Sequence, residues 1–239
     1  MQISVYRDYQ TLSFQAAERI IEMIREKPGA VLCLAAGDTP RLTYDTLAAR
    51  AASENIDFSQ CIFVGLDEWV GIPPENEGSC HYFLQKHLFE PLRISSDQIH
   101  LFDALTSDLN DECRKMNQLI STLGGIDLML VGIGMNGHIG FNEPGASPER
   151  YAHVVNLDEA TQTVGQKYFR QPTVLQQGIT LGLKHLLEAR KVILIANGAK
   201  KAGVIKQTIE GPITPELPAT ILRMHPNSEV MLDEEAASG

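Results

Sequence analysis

No window of the sequence reaches the roughly 18 apolar residues of a membrane-spanning helix. The opening MQISVYRDY also lacks the apolar core of a signal peptide. There is no basic run either: 20 Lys and Arg stand against 30 Asp and Glu, a formal charge of −10. Such a balance suits neither nucleic acid nor an anionic membrane surface, so no nucleic-acid and no membrane partner is expected. A small anionic ligand stays open. Most of the long-range field is screened beyond roughly 8 Å at physiological salt, and a few local lysines then decide. The four cysteines, Cys33, Cys61, Cys80 and Cys113, show no CxxC spacing. Cys33 and Cys61 lie inside apolar runs and read as small buried hydrophobes. A reduced, cytoplasmic compartment is the simplest inference. His153 and His185 are scattered without ligand spacing, so no metal is expected. Repeats, low-complexity segments and linkers are missing too. Residues 1–239 therefore read as one domain, with a frayed acidic tail at about 233–239.

What is present is 44% hydrophobic and 21% charged, enough for one large α/β domain. Residues 2–6 read as a strand. Residues 9–27 read as a helix, with Ala16, Ala17, Ile20, Ile21 and Ile24 on one face. AVLCLAA at 30–36 is a continuous apolar run, as in a central parallel strand. Gly37-Asp38-Thr39-Pro40 follows, with Thr39 placed to cap a helix that runs to about Ser53 and Pro40 at its first position. CIFVGL at 61–66 is the next strand, with Asp67-Glu68-Trp69 at its end. A loop at 70–78, a helix at 79–90, a short strand at 98–102 and a helix near 109–123 come next. A strand opens at Ile126. Beyond it the pattern gives a strand at 151–156, helices at 158–169 and 179–189, a strand at 191–196, a helix at 198–210 and a last strand at 228–232. Strands alternating with helices predict an α/β fold with a mostly parallel sheet.

In such sheets ligands bind at the carboxyl ends of the strands. Three strands end in unusual chemistry: Gly37–Pro40, Asp67-Glu68, and the segment Gly132–Glu143. Gly132, Gly134 and Gly137 spell G-x-G-x-x-G, which as a dinucleotide site needs a helix immediately afterwards. Gly140, Pro144 and Gly145 argue against that helix. The glycines then read as letting the backbone approach a small ligand. His138 and Glu143 share this loop. Such a pair often only holds a turn in shape. At a strand end it can also move protons, the carboxylate orienting the imidazole. Asp67 can act as a base if partial burial raises its pKa; otherwise it caps a solvated strand end. The Gly37–Pro40 turn can hold a phosphate on backbone N–H groups, or simply start a helix. Lys167, Lys200 and Lys201 are ordinary surface lysines by default, with Lys200-Lys201 able to face the same edge.

At these residues the chain resembles the glucosamine-6-phosphate deaminase (isomerase) family, whose superfamily includes the 6-phosphogluconolactonases. The resemblance rests on LAAGDTPRLTY at 34–44, FVGLDEWVG at 63–71, VGIGMNGHIGFNEPG at 131–145, LEARKVILIANGAKKAGVIKQTIEG at 187–211 and Met224-His225-Pro226. LDEWV and GITLGL look most like the galactosamine-6-phosphate branch. The resemblance implies a Rossmann-like three-layer α/β/α sandwich and conversion of a hexosamine 6-phosphate and water to a ketohexose 6-phosphate and ammonia. It implies His138 for ring opening, supported by Glu143 and oriented by Asn136. Asp67 would move a proton from C2 to C1. Gly37, Asp38, Thr39, Lys167 and Lys201 would form the phosphate end, and no redox cofactor or metal is needed.

Three positions depart from the family's pattern. Asn136 stands where some members have Asp. Asp38 replaces a common glycine and repels phosphate unless it points away or pairs with a lysine. Lys167 stands where many members have Arg, a point charge for a fork. The segment 146–155 lacks the basic residues of regulated members, so no such allosteric site, and a monomer or small oligomer, is expected. A lactonase of the same superfamily is the alternative, and it needs no C2 base. A sugar-phosphate sensor is a further alternative; the chain's start at the first strand and its acidity argue against it.

Overall fold

The computed structural model describes residues 1–239. The chain opens with β1 (Gln2–Tyr6) and α1 (Tyr9–Glu26). Asp8 caps α1 by accepting from Thr11 N at 2.7 Å, and the helix stops before Pro28. Its face of Leu12, Ala16, Ala17, Ile20, Ile21 and Ile24 is buried; each large aliphatic there contributes about 1.5–3 kcal/mol. Then come β2 (Val31–Leu34), α2 (Asp38–Glu54), β3 (Ile62–Val64) and β4 (Asp67–Trp69). The helix expected at 79–90 is α3 (Cys80–Leu84), continued through a π-turn (Gln85–Phe89) into α4 (Glu90–Leu92). β5 (Ile99–His100), α5 (Leu109–Thr122), β6 (Leu128–Val131) and β7 (His153–Asn156) follow. The rest comprises α6 (Glu159–Gly165), β8 (Gln177–Thr180), α7 (Leu183–Glu188), β9 (Lys191–Ala196), α8 (Ala202–Glu210) and β10 (Ser228–Asp233).

Seven strands form a fully parallel sheet in the order β1-β10-β9-β6-β2-β3-β5. Side chains alternate across it, so β2 sends Val31 and Cys33 to one core and Leu32 and Leu34 to the other. The first core packs under α5, α7 and α8, the second under α1, α2 and the 80–92 helix. These are the three layers that the resemblance implies. No helix is long and apolar enough to cross a membrane.

Four local expectations need correction. Residues 179–189 are not one helix: Gln177–Thr180 is a strand of a second, antiparallel sheet, β4-β8-β7, and only Leu183–Glu188 is helical. Ile179 satisfies its backbone between Glu68 and Val154, and a helix cannot offer those bonds. Asp67-Glu68 accordingly belongs to a strand of that sheet rather than to a solvated strand end. Thr39 does not cap α2. The helix starts two residues earlier, at Asp38 behind Gly37, whose φ of 116° favours glycine, and no side chain caps it. The tail is not frayed: Asp233 is buried and accepts from Gly198 N at 3.0 Å and Ala236 N at 2.8 Å, with Ala236 fully buried.

Candidate active site

The ends of β2, β3, β6 and β9 open on one edge of the parallel sheet, around a cavity of about 230 Å³. Of the residues singled out in the sequence, Gly37, Asp38, Thr39, Asp67, Asn136, His138, Lys167 and Lys201 all line it. Glu143 sits behind His138, 7% exposed, and Lys200 is exposed outside it.

One wall is acidic. Asp67 opens β4 and is half-buried. The only protein hydrogen bond to its carboxyl comes from the Cys80 thiol, Sγ to Oδ1 at 3.6 Å. Burial, then the neighbouring Glu68 charge, push Asp67 up to about 7. Glu68 points the other way and is 4% exposed. Its carboxylate accepts from Trp69 N at 2.9 Å, Cys80 N at 3.0 Å and His81 N at 2.8 Å. Burial raises the Glu68 pKa against the pull of these bonds. Together with Ser79, which caps at Tyr82 N, Glu68 pins the start of the 80–92 helix beside Asp67.

Facing that wall is the glycine-rich loop after β6. Nothing in 132–152 is helical, so the dinucleotide arrangement is absent. Gly132 borders the cavity with open space beside it, whereas Gly134 serves the protein. A Cβ on Gly134 would lie 2.3 Å from the His138 ring, so the missing side chain is the space the imidazole fills. His138 Nδ1 lies 3.2 Å from Thr161 Oγ1 and 3.5 Å from Glu143 Oε2. Asn136 does not touch the ring. Its amide donates to Glu143 Oε2 at 2.9 Å and its carbonyl accepts from His138 N at 3.2 Å. It reaches the histidine only through the carboxylate and the backbone. Burial raises the Glu143 carboxyl, but bonds from His138, Thr161 and Asn136 and the His138 charge outweigh it, leaving it lowered.

The third wall is basic. The first turn of α2 presents uncapped N–H groups, and Tyr9 braces its carbonyls, donating to Asp38 O at 3.0 Å and Thr39 O at 2.8 Å. Thr39 Oγ1 bonds Asn197 Oδ1 at 3.0 Å. Lys201 reaches in from the turn after β9, donating to Ile133 O at 2.6 Å. Burial, then the Lys167 charge, lower it to about 8. Lys167 pairs with Asp38 at 2.7 Å, so the carboxylate that looked repulsive toward phosphate is held by a lysine. Burial lowers Lys167, but Asp38 and Tyr168 outweigh it and leave it raised.

Cys80, Thr161 and Tyr168 also line the cavity and carry no local sequence signal. Thr161 is an ordinary helix residue until folding sets it against His138. No three His, Cys, Asp or Glu side chains converge as metal ligands.

Fold and site together define an α/β protein whose acid–base groups gather at the carboxyl edge of a parallel sheet. The chain belongs to the family of glucosamine-6-phosphate isomerases/6-phosphogluconolactonase, whose sequence profile matches residues 8–232. The glucosamine-6-phosphate deaminase of Thermoanaerobacter pseudethanolicus is 41% identical over 239 residues, covering 100% of this chain and 94% of that protein. The one from Bacillus velezensis is 40% identical over 242 residues, covering 100% of each. The solved structure of a monomeric glucosamine-6-phosphate deaminase superposes with a TM-score of 0.97 at 36% identity, over 100% of this chain and 99% of that one. A 6-phosphogluconolactonase from Trypanosoma brucei shares the fold, with TM-score 0.80 at 22% identity over 99% and 97% of the two chains.

Proposed function

We propose that this protein converts a hexosamine 6-phosphate and water into a ketohexose 6-phosphate and ammonia, working as a monomer. The observation that carries the reading is Asp67, a carboxyl raised to about 7 that opens on the same cavity as His138. An aldose–ketose shift needs a base for a carbon-bound proton as well as a group that opens the sugar ring. Lactone hydrolysis has no use for the former.

The phosphate binds at the uncapped turn of α2 with Gly37 and Thr39, under Lys167 and Lys201. That places the sugar against Asp67 and His138. His138 Nε2 has no hydrogen-bond partner in the protein and takes the C1 hydroxyl proton, passing it to the ring oxygen to free the aldehyde. The C2 proton is now acidic, and Asp67 removes it, leaving an enolamine with charge on the C1 oxygen. Asp67 returns the proton to C1. A nitrogen proton moves to the C1 oxygen, and a C2 imine with a C1 hydroxyl results. Water adds to the imine carbon and ammonia leaves, giving the ketone. No redox step occurs, and every proton lent is returned.

The close superposition, over the whole chain, on a solved monomeric glucosamine-6-phosphate deaminase supports a monomer. The test is ammonia release from glucosamine 6-phosphate and galactosamine 6-phosphate side by side, with 6-phosphogluconolactone as control. Ammonia from one epimer is expected, and it fixes the C4 configuration. Folded protein releasing none from either sinks the reading.

A further inference from the structure

We propose that Thr161 is a positioning residue for His138: its hydroxyl fixes which ring nitrogen carries the proton. This rests on the amino-sugar-phosphate reading above. Thr161 lies in the first turns of α6, is 5% exposed and lines the cavity. Its Oγ1 is the nearest partner of His138 Nδ1, 3.2 Å against 3.5 Å for Glu143 Oε2. The carboxylate is held in place by other groups. Asn136 Nδ2 occupies Oε2 at 2.9 Å, and Asp158 N reaches Oε1 at 3.4 Å.

A neutral imidazole has one donor and one acceptor nitrogen, and the neighbours of one decide the state of the other. A hydroxyl can accept from Nδ1–H while donating its own proton to a carboxylate. Thr161 Oγ1 stands at Nδ1, and the other neighbour of Nδ1, the Glu143 carboxylate, can only accept, which favours the proton on that nitrogen. The proton is then fixed on Nδ1, and Nε2 meets the cavity as a lone pair. That is the form that takes a proton from a sugar hydroxyl. Without the hydroxyl, Nδ1 keeps only the 3.5 Å contact to Glu143, at the edge of hydrogen-bond range. The ring can then turn and both tautomers are populated.

The position of Thr161 in the chain adds a reason. α6 runs directly into the turn Gln166–Tyr168, which carries Lys167 toward the phosphate end. The segment that meets the phosphate is thus also the one that sets the histidine. His138 is held in its working tautomer only while that segment is seated.

The experiment compares the wild type, Thr161→Val and Thr161→Ser by nitrogen NMR of 15N-histidine-labelled, substrate-free protein, with His138 assigned from His138→Gln. The wild type should show Nδ1 protonated and Nε2 unprotonated. Thr161→Val should shift both signals toward a mixture and lower kcat roughly tenfold, a fraction of what general acid–base catalysis supplies. KM should stay within about twofold, because Thr161 is assigned no phosphate contact. Thr161→Ser should restore both the spectrum and most of kcat. A wild-type histidine protonated on Nε2, an unchanged spectrum in the valine variant, or a serine variant as slow as valine would each overturn the proposal. If Thr161→Val does not fold, the wild-type spectrum and the serine variant decide. The spectra need no turnover, so a protein that releases no ammonia brings down the functional reading and leaves Thr161 still testable.

Discussion

At the amino end of the central sheet, Asp127 is 1% exposed. It accepts from Lys27 Nζ and from Val31 N, both at 2.8 Å, and lies 3.1 Å from Arg190. Glu229, also buried, takes Ser4 Oγ at 2.9 Å and Arg19 Nε at 3.2 Å. At the carboxyl end, Asp67 has a thiol for its only partner and a second carboxylate beside it. The same residue type is fully paired at one end and left poorly satisfied at the other. Paired carboxylates hold the chain together. A half-buried one without a cation is kept basic, which is what a proton-abstracting group needs.

The sharpest way to break this comparison is Asp67→Asn. Ammonia release should fall by about 10³–10⁴, the scale of a lost general base. The folded protein should become more stable at the same time. A carboxyl raised above its unfolded value, here from 3.8 to about 7, supports the fold fully below the unfolded value, and that support is lost as pH rises through about 7. At pH 8 the amide should therefore gain on the order of 1–3 kcal/mol in urea unfolding. A destabilised, inactive Asn variant would mean that Asp67 is structural.

The opposite pattern is expected of Asp127→Ala. A buried carboxylate and its three partners are broken apart, costing about 3 kcal/mol and lowering Tm by roughly 6–12 °C. The kcat of the folded fraction should stay within about twofold of wild type. A large loss of kcat there would erase the division between the two ends.

Dependence on pH comes third. Free-enzyme kcat/KM should rise as Asp67 ionises near about 7 and fall as Lys201 loses its proton near about 8. A narrow bell between these values is expected. A flat profile across pH 6–9 would detach both groups from the reaction.

The finest adjustment is Cys80→Ser. A hydroxyl donates more strongly than a thiol, so it should stabilise the Asp67 carboxylate and move the acid limb down by roughly half a pH unit. Cys80→Ala should move it up. A limb that stays put in both would reduce Cys80 to packing.

The parallel sheet was readable because its inner strands are short apolar runs between helices, buried on both faces. The candidate site was readable where residues sit at strand ends, since sheet topology brings those ends together whatever lies between. The second sheet was not readable. GITLGLKHLLEA carries apolar residues at spacings that suit a strand and a helix alike, and only pairing with Asp67–Trp69 and His153–Asn156 separates them. Nor was the anchored tail, since Glu-Glu-Ala-Ala reads as solvated until Asp233 meets Gly198. Thr161 escaped notice for the same reason, and of the pair Asp67-Glu68 the sequence did not show that Glu68 anchors the 80–92 helix. Their partners lie 23 and 12 residues away and follow no period.

The exposed pair of Asp38 and Lys167 means that the phosphate end carries its own competitor. A carboxylate already satisfies the lysine, so an incoming anion must displace it and wins only by what it offers beyond one negative charge. Weakly charged anions such as chloride gain little by the exchange, whereas a phosphate dianion gains the helix N-terminus and Lys201 as well. Apparent affinity falls by whatever fraction of the time the pair is closed, a modest factor for an exposed ion pair. Asp38→Asn should accordingly bind inorganic phosphate a few-fold more tightly as a competitive inhibitor, and should also discriminate less well against chloride. On the proposed phosphate site, Asp38 would then trade affinity for selectivity, keeping the site open amid the ordinary ions around it.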